Sequence, residues 1–107
     1  MGKFEFKNRT IELDIAGNKF SVEADTRTGD KMKQYEKTAQ EMADNNASNQ
    51  EALDFCKKVM DEVLGKGAVN VIFKGREVLL DDCVDILVYV SGEVVRFRKA
   101  AQNVHEQ

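Results

Sequence analysis

A helix with a marked start and a marked stop sits in the middle of this chain, and the rest has to fold around it. Ser48 and Glu51 stand at capping-box spacing. In that motif the hydroxyl accepts the N–H three residues on, and the carboxylate reaches back to the serine N–H. Leu53, Cys56, Val59, Met60, Val63 and Leu64 then recur at helical spacing. Gly65 supplies a left-handed stop. One face of this helix is apolar and needs a cover.

The cover is written in the first 25 residues. Phe4 and Phe6, then Ile11, Leu13 and Ile15, then Phe20, Val22 and Ala24 are apolar at every second position. Such alternation marks half-buried strands. Turn formers at Lys7-Asn8-Arg9 and Ala16-Gly17-Asn18 separate the three runs, which predicts a three-stranded antiparallel meander. The expected fold class is α+β, with this N-terminal meander packed against three to four helices.

Between meander and central helix, Thr26 to Asp30 reads as a linker ending in an N-cap at Asp30. Met32, Tyr35, Ala39 and Met42 follow at helical spacing, and Asp44-Asn45-Asn46-Ala47 ends the segment. Beyond Gly65 two readings stand. Val69, Val71 and Phe73 with Lys74-Gly75 fit a hairpin, and Ala68 to Phe73 fits a short helix. Val84 to Phe97 is divided in the same way. Ser91-Gly92 would close a hairpin, whereas Val84, Leu87, Val88, Ser91, Val94, Val95 and Arg98 mark a helical stripe behind an N-cap at Asp81 or Asp82. The residues favour helix, against the weight of β-branched side chains. The expected layout is one domain over 1–107: meander to 25, a mainly helical part over 30–102, and a frayed tail over 103–107.

Composition excludes several classes of function. The 107 residues carry a formal net charge of −3, and no dense basic patch offers itself to a phosphate backbone, so no nucleic acid is expected as partner. No apolar segment is long enough to span a bilayer, and no signal peptide is visible, so no membrane is expected either. Cys56 and Cys83 each lie in an apolar run, where a free cysteine acts as a small hydrophobe, and this favours a reducing cytoplasm.

The chain offers little chemistry. His105, the single histidine, sits near the end of the sequence, where a general base would be poorly held. The two cysteines lack the spacing of a zinc site. Asp81, Asp82 and Asp85 suit a helix N-terminus better than a metal. Gly65-Lys66-Gly67 lacks the rest of a phosphate loop. No enzyme, no catalytic residue, no metal and no cofactor is expected.

What remains is surface. On a helical Val84–Phe97 the apolar residues are not confined to one stripe, so the helix is either central in the core or shared with a partner. A two-fold homodimer is the simplest sharing. Val84, Val88 and Val95 are the candidate protein-interaction surface.

Several short signatures carry a resemblance. They are Lys33 to Ala39, Phe55-Cys56, Val59 to Ala68, Val71-Ile72-Phe73 and Leu79 to Cys83. Together they resemble small proteins from the tail-morphogenesis region of Firmicutes prophages, regarded as tail assembly chaperone-like. The resemblance covers about Met32 to Ala101 and implies helices over those segments. It implies a non-enzymatic role in the bacterial host cytoplasm, with the tape-measure protein as partner. It supplies no catalytic residue. The alternative is a minor structural component of the virion.

Overall fold

In the computed structural model the backbone is described for residues 2–5, 8–46 and 48–105, and the side chains to residue 100. The alternating segment builds two strands among these residues. β1 (Thr10–Ile15) and β2 (Asn18–Glu23) pair antiparallel, with Leu13 opposite Phe20 and Ile11 opposite Val22. The pairing runs one step further, where the Ala24 N–H donates to the Arg9 carbonyl at 2.6 Å.

Where a three-stranded meander is expected, the described residues form a two-stranded hairpin. Residues 2–5 are in no strand and Phe4 is 80% exposed, while Phe6 and Lys7 lie outside the described residues. Two phenylalanines at alternate positions satisfy the strand pattern locally. Leu13, Ile15, Val22 and Ala24 are the residues of this segment that the core buries.

Ala16 and Gly17 turn the hairpin with φ of 54° and 83°. Positive φ at both central positions is the geometry of a type I′ turn, which matches the twist of the strands. The Asp14 carboxylate accepts the Gly17 N–H at 3.0 Å. Alanine is a poor tenant of left-handed backbone, and asparagine tolerates it. Ala16→Asn is expected to raise stability by about 0.5 kcal/mol, read as a small upward shift of the urea midpoint at constant slope.

Four helices follow. α1 (Thr26–Asp44) starts at an N-cap on Asp25, whose carboxylate accepts the Thr28 N–H. The expected linker over residues 26–30 is thus the helix's first turn. Asp25 and Asp30 are both competent caps by residue type, and Gly29 between them reads as a breaker. Tertiary packing explains that glycine: it is buried, and a Cβ there would meet the Arg98 guanidinium.

α2 (Asn49–Leu64) begins with the serine half of the expected capping box, the Ser48 hydroxyl accepting the Glu51 N–H at 3.1 Å. Its stop differs in detail from expectation. Gly65 has φ 119° and ψ 152°, an extended conformation open to glycine alone, and the left-handed residue is Gly67, with φ 86° and ψ 3°. Ser48→Ala removes the acceptor and is expected to cost about 1 kcal/mol. A fall in Tm of roughly 4–6 °C is the measurement.

The two open segments resolve as helix. α3 (Ala68–Ile72) is a short turn tied back to α2 through the Asp61 carboxylate, which accepts the Val69 N–H at 3.0 Å. α4 (Leu80–His105) is a single helix of 26 residues that passes through Ser91-Gly92 unbroken. It starts one residue before the expected caps, so Asp81 and Asp82 lie in its first turn, where the helix dipole favours acids. Its helical backbone continues to His105, over most of the stretch expected to fray, and Glu106 and Gln107 lie outside the described residues.

The fold is α+β. α2 and α4 pack against one another and together cover the hairpin. Met60, Val22, Val59, Val90, Val94 and Cys83 are the largest fully buried side chains. α1 lies along the side of this unit, with only Gly29 and Met32 buried. The result is long and thin, with extents of 58 × 31 × 18 Å. The radius of gyration is 15.9 Å, against about 13 Å for a compact chain of this length.

Candidate functional site

The shallow anchoring of α1 creates a mainly apolar recess. Met32 holds the helix to the core, and the apolar residues that the later turns bring to the recess are the small Ala39 and Ala43, beside Glu36 and Gln40. Two small residues one turn apart leave a furrow that larger side chains would fill. Its floor and far wall come from Phe55 and Val59 of α2 and from Val84, Leu87 and Val88 of α4. The groove has a volume of about 380 Å³.

Tyr35 and Phe55 close one side in an edge-to-face contact, with centroids 6.2 Å apart at 74°. That geometry sets the positive edge of one ring on the negative face of the other. Burial pushes the Tyr35 phenol up to about 12, and its hydrogen bond to Glu62 adds to the shift. Glu62 lines a separate recess beside Arg27 and Lys31, so the phenol's polar end is engaged on that side of the ring.

A second recess of about 310 Å³ continues the furrow toward the start of α1. The Ser91 hydroxyl donates to Glu36 at 2.8 Å, a polar link between α1 and α4 where the two recesses meet. The far recess is of different character. Gly29, Lys33, Val95, Arg98 and Lys99 line it, so it is basic where the first is apolar.

Each residue of the candidate surface stands exposed on α4. Val84 is 44% exposed, Val88 66% and Val95 43%. The furrow links them: Val84 and Val88 line the apolar groove, and Val95 lines the basic recess. The core takes a different stripe of the same helix, with Cys83, Val90 and Val94 buried and Ile86, Leu87 and Phe97 packed against them. Ala39, Ala43 and Phe55 belong to the groove, but the sequence reading assigned none of them to a surface: Ala39 stood only in a helical stripe and Phe55 only in a family signature. The i, i+4 alanine pair on a thinly apolar helix is the signal that would have found the first two.

Among the described residues no group of three or more His, Cys, Asp or Glu side chains gathers into a metal site. Cys56 and Cys83 are buried free thiols. Burial raises both, Cys83 to about 11 with Cys56 contributing, so neither is a thiolate at neutral pH. A thiol-reactive dye is expected to label the native protein at neutral pH many times more slowly than the unfolded chain. Prompt labelling of native protein would show that one thiol is accessible. Among the described residues no helix is long and apolar enough to cross a membrane.

The chain has no match among curated proteins or among solved structures. Residues 7–107 match one family model. That span is nearly the whole chain, hairpin and all four helices included, and the protein belongs to the family of unknown function DUF6673.

Proposed function

We propose that this protein is a non-enzymatic tail assembly chaperone of a bacteriophage, which shields an apolar helical segment of the tape-measure protein in the host cytoplasm. The observation that carries the reading is the apolar groove between α1 and α4, edged by the half-exposed Val84 and Val88. Helix-in-groove recognition needs a furrow with apolar walls and small residues that let a second helix approach. Ala39 and Ala43 provide the small residues, and Phe55 and Leu87 provide the walls. The resemblance of the Met32–Ala101 segments to tail assembly chaperone-like proteins supports the identity of the cargo.

The test is co-expression with the tape-measure protein of the same genome, followed by size-exclusion chromatography. A co-eluting complex that is lost with Val84→Asp is expected. A tape-measure protein that stays soluble and separate from this chain would sink the proposal. Analysis of purified particles covers the alternative, since a chaperone leaves before maturation. A fixed stoichiometry in mature virions would make the protein a minor tail component instead.

A further inference from the structure

Beside the groove, α4 carries an exposed stripe that the core does not use. Asp81, Asp85, Val88, Gly92, Val95 and Lys99 follow one another at alternating spacings of four and three residues, and all six are exposed. That is the spacing of a seam between two helices. Asp81, Asp85 and Lys99 form no ion pair among the described residues.

Gly92 is the informative member. It lies inside a 26-residue helix, where glycine weakens the helix relative to alanine. Its backbone has no left-handed φ, and an added Cβ would meet nothing within 4 Å. Nothing inside the chain calls for glycine there, as Arg98 does at Gly29. A second backbone passing close by would call for it.

The charges say which backbone that is and how it runs. One end of the stripe carries Asp81 and Asp85, and the other carries Lys99, while Arg96 nearby is paired with Glu93 at 3.5 Å. An antiparallel second copy, centred midway between Val88 and Gly92, sets Asp81 opposite Lys99 and the Val88 side chain over Gly92. Two-fold symmetry repeats each contact. A parallel copy would set Asp81 on Asp81 and Lys99 on Lys99. We propose that a second copy of this chain docks antiparallel along α4, with Val88 seated on Gly92 and Asp81 paired with Lys99. Val88 also lines the groove, so the second copy and the tape-measure helix compete for it.

Sedimentation equilibrium over a concentration series tests this, with circular dichroism confirming that each variant keeps its helix content. The wild type is expected to dimerise, and Gly92→Leu to abolish the dimer by filling the place of closest approach. Asp81→Lys and Lys99→Asp should each weaken it by about tenfold, since every substitution breaks two symmetric pairs. The double variant should return to within about threefold of wild type. In a parallel dimer neither single change would alter the balance of like charges, so indifference to both overturns the arrangement. Indifference to Gly92→Leu overturns the seam. A wild type that stays monomeric to about 1 mM overturns the dimer itself. That monomer could still bind the tape-measure protein, whereas a dimer without that binding would sink the chaperone reading alone.

Discussion

Replacing Met60 by alanine is expected to destabilise the protein by about 3 kcal/mol, the largest single loss available without introducing charge. Met60 is 0% exposed and leads the fully buried side chains by volume. It sits on α2, the element that touches the hairpin, α3, α4 and α1. Truncation there forfeits the transfer of three heavy atoms from water and leaves a cavity that rigid neighbours close only in part. Small domains hold about 5–15 kcal/mol in all, so the variant would lose a substantial share of its stability. A Tm lower by roughly 12–18 °C is the expected reading in a thermal melt. Val71→Ala is the control: with Val71 49% exposed and outside both groove and seam, the change should stay within about 0.5 kcal/mol. If the two variants melt together, Met60 is not at the centre of the core.

The second large effect lies in association. Val88→Asp combined with Val95→Asp is expected to leave the monomer folded and to abolish its binding to partner and second copy alike. Both side chains are substantially exposed, so carboxylates there remain solvated in the monomer. Under a docked helix the carboxylate of Val88→Asp would be stripped of water on the apolar side of the furrow, a cost of several kcal/mol, whereas that of Val95→Asp lies by the basic recess of Arg98 and Lys99 and adds less. At about 1.4 kcal/mol per factor of ten, that weakens association by at least about 100-fold. Co-elution with the tape-measure protein and sedimentation of the free chain read the two associations separately. Retention of both by a folded double variant would remove this face of α4 from any role in binding.

The second effect marks one of two apolar faces of α4, and the sequence showed both without saying which was which. Around α4 the apolar residues form two stripes. Cys83, Val90 and Val94 enter the core, and Val84, Val88 and Val95 stay outside. Neither stripe is more apolar by residue type. The choice was made by what α4 packs against, namely the α2 face carrying Cys56 and Met60 and the strand carrying Leu13 and Ile15. The same holds for the beginning of α1. Gly29 reads as a breaker until Arg98, far along the chain, is found lying over it.

The sequence by itself determined the elements whose signals are local. Ser48 and Glu51 start α2, glycines follow Leu64 and end it, and Ala16-Gly17 turns the hairpin whose alternation puts Leu13 and Val22 on one face. These rest on hydrogen bonds and dihedral preferences spanning three or four residues, which sequence spacing records directly. The absence of a third strand among the described residues was decided only in three dimensions. So were the unbroken run of α4 through Ser91-Gly92 and the groove left beside Ala39 and Ala43. Valine-rich segments sit close to balance between strand and helix, and a difference that small is settled by which surfaces a segment can bury once its neighbours are in place.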